Sequence, residues 1–317
     1  MIHYYAWEGN QVHAVNGLSE AHWINVVGPL TTFELDYLSE ALKLSHDFIT
    51  DPLDIEERAR YEKYDEGRSI ILHTPVVNQV DKENEPIFIT VPLGIILCQE
   101  KIITVCALES PVMEKFVESK IRNFNPSNER LFILQIFEQT VFLFLEYLKK
   151  LNMRRRLIEQ ELYDSSRSEE LKSLLQIEKS LVYFVNSLNA NELLKIKMKR
   201  TDFLNITGSE ELVEIFEDII IDNNQAREVA QLYTNILNGT MEAYASIISN
   251  NLNIFINRLT VITTLLMVPT VIASFMGMNV PLPFGLGSSK FSFFIIIIIT
   301  IAFSFGLSWF FRKKNIL

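Results

Sequence analysis

Near the C-terminal end of the chain, polar side chains recur at alternating spacings of four and three residues. The series, called the polar series below, runs Glu242, Ser246, Ser249, Asn253, Ile256, Thr260, Thr263, Met267, Thr270, Ser274 and Gly277. Nine of these eleven residues are polar or glycine, although the surrounding segment is rich in Ile, Leu, Val and Phe. Oxygens such as those of Asn253 and Thr270 can accept hydrogen bonds from the water shell of a cation. The pattern therefore predicts a helix with one polar face.

The mean spacing of 3.5 residues is typical of helices packed around a common axis. A polar seam is costly inside a bilayer unless it faces water or other polar groups, so several copies would make it the lining of a pore. The apolar members Ile256 and Met267, together with Leu259, suit closure of that pore by dewetting. Two alternatives stay open: a helix pair packed through small residues, and, for Met267, ordinary packing between helices.

Two segments have the length and composition of membrane spans. No charged residue occurs between Arg258 and Lys290, and residues 291–311 are charge-free over 21 positions, about 31 Å as a helix. The join, 277–290, holds three Gly and two Pro, which predicts a loop outside the cell. Positive flanks remain inside, so a basic cytosolic tail at 312–317 is expected, with Arg312, Lys313 and Lys314. A plain membrane anchor is the alternative.

Long helices precede these spans. Between Glu210 and Met276 the only helix breakers are Gly239 and Pro269, so 209–276 is predicted to form one stalk helix of about 100 Å that enters the bilayer. Residues 126–208 are predicted to form a helical hairpin, with helices at 129–163 and 168–200. Residues 1–125 have the character of an α/β domain.

The α/β prediction depends on short β-branched or apolar segments bounded by turn residues. Thr31 or Thr32 is expected to cap a helix at 33–44, and a further helix is expected at 112–121. Cys98 and Cys106 are expected to be buried as small apolar residues. The predicted strands cover residues 22–27, 69–73, 87–91, 94–97 and 101–107.

Charge is distributed unevenly along the chain. All 39 acidic residues precede Asn251 and meet 24 basic ones there, a net charge of −15, whereas the last 67 residues carry +5. An acidic soluble part argues against nucleic acid as a partner and fits a cation. The N-terminus lacks the pattern of a signal peptide, so this part is expected in the cytosol. No pairing of nucleophile and base stands out, so an enzyme is not expected.

Three motifs give a family resemblance. Gly277-Met278-Asn279 ends the first span, Trp23-Ile24-Asn25 lies in a predicted strand, and 51–57 is followed by Arg60-Tyr61-Glu62-Lys63-Tyr64. In these motifs, and in the spacing of the stalk from Asp218 onward, the chain resembles the CorA family of magnesium transporters. The resemblance covers most of the chain, and the segment 51–64 resembles a helical signature of that family.

The resemblance implies a funnel-shaped homopentamer in a bacterial cytoplasmic membrane, with both termini cytosolic and lipid around the spans. It implies influx of hydrated or partly hydrated Mg2+, with Co2+ as a further cation. Gly277, Met278 and Asn279 would form the selectivity filter. Asp218 would bind a regulatory Mg2+ together with an acidic group of the neighbouring subunit, for which Asp81 and Glu83 are candidates. The alternative for Asp218 is a solvated helix face.

Two departures from the family pattern concern the outer end. Met276 stands where an aromatic residue usually precedes the triplet, and residues 280–289 contain no carboxylate. Two other functions remain open at this stage: a transporter of Zn2+, Co2+ or Ni2+ on the same scaffold, and a membrane-anchored signalling protein that senses cations.

Overall fold

The computed structural model describes residues 1–8, 11–79, 85–122, 124–164, 168–278 and 291–313. It contains two compact units, Met1–Gly239 and Thr240–Leu317. The first unit combines a sheet with helices, and the second is helical in its described part.

A seven-stranded sheet forms the centre of the first unit, with the strand order β2-β1-β3-β7-β6-β5-β4. Strands β3 and β7 are parallel, and every other neighbouring pair is antiparallel. The strands are β1 (Ile2–Glu8), β2 (Gln11–Val15), β3 (Trp23–Val27), β4 (Arg60–Lys63), β5 (Arg68–Val77), β6 (Phe88–Cys98) and β7 (Lys101–Cys106).

Both faces of the sheet are covered, which explains why β3 is buried at every position. On one face, Ile24 and Val26 pack in an apolar core with Leu38 and Ile49. On the other face, the ring of Trp23 meets three phenylalanines edge-on, at centroid distances of 5.4 to 6.5 Å. The α/β class predicted for this region is confirmed.

Helix α1 (Thr32–Leu42) begins where the sequence predicts. Thr31 is its N-cap: the Thr31 hydroxyl accepts a bond from the Glu34 amide, and the Glu34 carboxylate accepts one from the Thr31 amide at 2.8 Å. Helices α2 (Asp47–Thr50) and α3 (Pro111–Val117) are short. The predicted helix at 112–121 therefore ends four residues early.

Two other predictions for this region are wrong. The two strands expected at 87–91 and 94–97 are one continuous strand, β6. Pro92 has no amide proton to donate, but β7 pairs with β6 only from Leu93 onward, so the proline is tolerated within the strand. The helical interpretation of 51–64 is correct only for a 3-10 turn at Asp51–Leu53, since Arg60–Lys63 forms the edge strand β4.

Three long helices continue the chain: α4 (Glu129–Asp164), α5 (Ser168–Arg200) and α6 (Glu210–Met276). Helix α6 begins in the first unit and passes Gly239 and Pro269 without a break, as predicted. Helix α7 (Ser292–Lys313) follows in the second unit. Arg312 and Lys313 lie in its last turn, so the helix extends beyond the predicted span and into the predicted tail.

Within the described part of the chain, α4, α6 and α7 are long and apolar enough to cross a membrane. The most apolar window of α4 is 67% buried inside the protein, whereas those of α6 and α7 are 6% and 0% buried. The apolar surface of α4 is thus covered by its own unit. That of α6 and α7 is left for another environment.

Candidate pore-lining surface

Every member of the polar series is exposed in the single chain. The apolar members are no exception, since Met267 is 66% and Ile256 is 47% exposed. Leu259, beside the series, is 52% exposed. The polar series therefore lies on one face of α6 and is exposed in the single chain, as is every residue from 245 to 260.

A different face of α6 is less exposed. Val261 is 1% exposed, and Thr264, Val268 and Ile272 are half-buried. These three residues line a groove with Met267, Val271 and Phe303 of α7. Met267 thus belongs to the polar series and also lines the groove beside α7, so packing remains an alternative for this residue.

The threonine hydroxyls of the polar series form hydrogen bonds of a defined direction. Each donates its proton to a carbonyl of the preceding turn, which leaves the oxygen lone pairs available to accept. A row of acceptors is what the water shell of a cation requires. The bonds run from Thr260 to Ile256 at 2.8 Å, from Thr263 to Leu259 at 2.9 Å and from Thr270 to Met267 at 2.8 Å.

The predicted filter lies at the end of α6. The Gly277 amide donates to the Ala273 carbonyl at 2.9 Å, and Met278 is 52% exposed. Asn279 lies outside the described residues, as do Asp81, Glu83 and Lys314. At the end of α7, the ammonium of Lys313 lies 5.2 Å from the ring centroid of Trp309.

Asp218 is exposed on the part of α6 that belongs to the first unit, and Asp222 follows one turn later, half-buried. Their neighbour Glu217 forms an ion pair with Lys199 at 2.6 Å. No group of three or more His, Cys, Asp or Glu side chains suited to a metal ion occurs among the described residues. Asp218 and Asp222 offer carboxylate oxygens on one helix face, which fits part of a shell for hydrated Mg2+.

Three polar contacts join α5 to α6 within the first unit. Glu192 pairs with Arg227 at 2.8 Å, and Lys199 pairs with Glu217. Between them, the fully buried ammonium of Lys195 donates to Asn223 at 2.7 Å. Burial lowers the pKa of Lys195 to about 7, and the nearby carboxylates of Glu192 and Asp222 oppose that shift only in part.

Sequence reasoning missed Lys195, although a signal was present. The buried positions of α5 recur with helical spacing at Leu188, Asn191, Lys195 and Met198. A lysine in that series is a candidate for a buried cation. Its ammonium also lies 5.7 Å from the ring centroid of Phe137 on α4, so three helices meet around it.

Comparison with known proteins gives a consistent result. The model of the family described as CorA-like Mg2+ transporter protein matches residues 19–313. Cobalt/magnesium transport protein CorA of Methanocaldococcus jannaschii is 26% identical over 258 residues, covering 81% of this chain and 79% of that protein. The protein of the same name from Thermotoga maritima is 24% identical over 263 residues, covering 81% and 72%.

A solved structure, the complete CorA magnesium transporter from Methanocaldococcus jannaschii, has the same fold. It superposes with a TM-score of 0.81 at 22% identity, covering 100% of this chain and 99% of that one. The likeness shows that the chain shares the fold of that structure.

Proposed function

The chain belongs to the CorA-like Mg2+ transporter family, and we propose that identical copies of it surround a pore that admits Mg2+ to the cell. In this proposal α6 lines the pore and α7 faces lipid, with both termini in the cytosol of a bacterial cell. The proposal divides the chain into six regions. The α/β domain is 1–125, the helical hairpin is 126–208, and the stalk with the first span is 209–276. The outer loop is 277–290, the second span is 291–311, and the tail is 312–317.

The observation that carries this proposal is that an otherwise apolar helix, α6, bears one continuous polar face, the polar series, and that this face is uncovered in the single chain. A polar face on an otherwise apolar helix is stable in a bilayer only against water or polar groups. Several copies of this face around one axis would supply the polar groups and enclose the water. Because the threonine hydroxyls donate their protons to backbone carbonyls of α6, their oxygens can accept hydrogen bonds along the pore.

These neutral oxygens suit Mg2+, which loses its waters reluctantly and prefers oxygen ligands. Hydroxyl and amide oxygens can hold the ion's water shell without trapping the ion, and weak sites favour conduction. The membrane potential supplies the driving force, at about 4.6 kcal/mol for a divalent ion per 100 mV. The asparagine ring of the proposed filter, Asn279, offers the same chemistry at the outer end.

The names of the two relatives, cobalt/magnesium transport proteins, support Mg2+ and Co2+ as the transported ions. Transport of Zn2+ or Ni2+ on the same scaffold is the second candidate, and competition among the four metals in liposomes distinguishes them. A membrane-anchored cation sensor would show no flux of any of these ions.

Flux through liposomes tests the pore-lining assignment with two threonines of α6. Thr270→Val removes an acceptor from the polar series, and we expect Mg2+ uptake to fall about tenfold because one hydrogen bond per subunit is lost. Thr264→Val makes the same change on the face that lines the groove with α7. It is expected to leave uptake near that of the parent. Equal losses in both variants would contradict the assignment of the face.

Native mass measurement in detergent tests the assembly. We expect a dominant homopentamer, since a polar face on each copy needs the others around it and the family resemblance implies five. Chemical cross-linking provides an independent count of the chains in the assembly. A dominant monomer or dimer would remove the pore and with it the proposed function.

We further propose that cytosolic Mg2+ closes the pore by bridging subunits at Asp218. The carboxylates of Asp218 and Asp222 form no ion pair within the described residues, and they provide part of an oxygen shell. A neighbouring chain would complete it, with Asp81 or Glu83 as partners. Mg2+ bound more tightly to the closed assembly shifts the population towards it, and falling Mg2+ releases the stalks.

Limited proteolysis tests this regulation. Asp218→Lys supplies a permanent cation at the interface, so the variant is expected to resist cleavage even in EDTA. The parent is expected to need added Mg2+ for the same protection. Glu211→Lys, with the same change of charge near the start of α6, serves as the control and should keep the Mg2+ dependence. Parental Mg2+ dependence in Asp218→Lys would exclude this carboxylate from the sensor.

A further inference from the structure

A cavity of about 220 Å³ lies in the first unit, between strands β1, β3 and β7 and helix α3. It is separate from the polar series and from Asp218. Its floor includes Asn25 of β3 and Ser110, the residue before α3, and both are more than nine-tenths buried. Its walls include Val27 and Met113, which are also buried. The cavity therefore combines a polar floor with apolar walls.

The orientation of the Asn25 amide follows from a relay of hydrogen bonds. The indole Nε1–H of Trp23 can only donate, and it donates to the Thr104 hydroxyl at 2.9 Å. Thr104 then directs its own proton to Asn25 Oδ1 at 2.8 Å. The Asn25 carbonyl oxygen is thereby occupied. Its Nδ2 group, a donor, is left for whatever fills the cavity.

Ser110 supplies an independent sign that something binds here. The residue is 3% exposed, and its hydroxyl oxygen has no hydrogen-bond partner in the described structure. Although Ser110 stands at the N-cap of α3, its side chain makes no capping bond. A buried hydroxyl without a partner costs free energy, and a ligand in the cavity that it lines would remove that cost.

The rim of the cavity is acidic. Glu109, Glu114 and Glu118 line it and are exposed; Glu118 pairs with Lys120 at 2.6 Å, whereas Glu109 and Glu114 form no ion pair with the described residues, and no described Lys or Arg lines the cavity. These carboxylates do not form a metal site, since none is found among the described residues. Cys106 also lines the cavity, but burial raises the pKa of its thiol to about 11, so it is a neutral thiol at neutral pH and a poor metal ligand.

We propose that this cavity binds a small organic cation that carries a neutral hydroxyl or carbonyl oxygen, an amino alcohol being the simplest. Its oxygen would accept from Asn25 Nδ2 and exchange a hydrogen bond with the Ser110 hydroxyl. Its methylenes would contact Val27 and Met113, and its ammonium group would lie at the acidic rim. A carboxylate or phosphate group would be repelled by that rim, so the ligand is a free compound rather than a phospholipid headgroup.

Calorimetry on the full chain in detergent, with 3-aminopropanol and butylamine as probes, tests the proposal. The two probes have nearly the same size and charge and differ by a hydroxyl in place of a methyl group. We expect 3-aminopropanol to bind in the millimolar range and about tenfold more tightly than butylamine, because its two hydrogen bonds to Asn25 and Ser110 are together worth about that factor. Phosphatidylethanolamine vesicles should not compete.

Ser110→Ala should reduce the preference for 3-aminopropanol to about threefold or less, because the Asn25 amide alone remains. Glu114→Gln should weaken both probes alike, whereas Glu56→Gln, an exposed carboxylate that does not line the cavity, should change neither. Equal affinity for the two probes in the parent, or an unchanged preference in Ser110→Ala, would overturn the proposal. Absence of binding by either probe would overturn it as well. Mg2+ flux is not part of this test, so its result is independent of the proposed transport.

Discussion

Asn279→Ala is expected to abolish Mg2+ uptake into liposomes while the oligomer still assembles. The amide oxygen at this position would be the last acceptor of the pore before the outside, and the residues that follow it, 280–289, contain no carboxylate that could replace it. A ring of methyl groups cannot accept hydrogen bonds from the waters of Mg2+, and stripping those waters is costly. Dye-reported uptake, normalised to the amount of protein in the membrane, measures the effect.

Asn189→Ala provides the matched control for this loss. Asn189 is an exposed residue of α5 in the first unit, so the same side-chain truncation there should leave uptake unchanged. Native mass measurement on both variants separates a loss of conduction from a loss of assembly. Full uptake by Asn279→Ala at equal abundance would remove Asn279 from the filter.

Lys195→Met is expected to remove a steep pH dependence of stability. The pKa of Lys195 is about 7 in the folded protein and 10.5 when the side chain is solvated, so between these values the unfolded chain binds one proton more. The free energy of unfolding therefore rises with pH, by about 1.4 kcal/mol per unit. Glu192 and Asp222 are the charged groups that face the ammonium, and Phe137 on α4 is neutral.

Urea denaturation of the full chain in detergent, followed by tryptophan fluorescence, measures this slope between pH 7 and 9. Above pH 9, burial of Cys98 and Cys106 adds the opposite trend, since their pKa is raised from 9.0 to about 11 and the unfolded thiols lose protons first. The parent should gain about 2 kcal/mol over the two pH units relative to Lys195→Met, since Lys195 is still half protonated in the folded state at pH 7.

Lys197→Met removes an exposed lysine two positions away and should keep the parental slope. The comparison isolates the buried ammonium because all titrating groups other than Lys195 and Lys197 are common to the three proteins. Parallel pH profiles for the parent and Lys195→Met would mean that Lys195 remains charged and paired in the folded state.

Local signals located much of the fold correctly. The capping pair Thr31 and Glu34 fixed the start of α1, and the predicted helix at 168–200 has the bounds of α5. Such features depend on neighbours in sequence, which a single chain displays directly. The polar face of α6 was visible without coordinates, because its polar side chains recur with a 3.5-residue period.

Features that depend on distant partners were harder to predict. Pro92 suggested a break between two strands. The sequence does not show that β7 leaves this position of β6 unpaired, because that pairing is a tertiary property. The edge strand at Arg60–Lys63 exists because β5 lies beside it. Lys195 could be placed on the buried face of α5 by periodicity. That Asn223, 28 residues later, would accept a hydrogen bond from its ammonium group could not be inferred.

Helix α4 has a consequence for the order in which the chain is made. Its segment Glu129–Gln160 has the length and apolar composition of a span, yet most of its apolar window is buried against its own unit. An insertion machinery that selects segments by hydropathy would meet this one before α6 and α7, the proposed spans. Strand β5 and helix α3, already synthesised, and α5, emerging next, supply the contacts that hide α4. Slow closure of that layer would expose α4 to the membrane. Rapid folding of the first unit during translation is then a condition for correct topology, and changes in the contacts of α4 would appear as misinsertion before they appeared as lost flux.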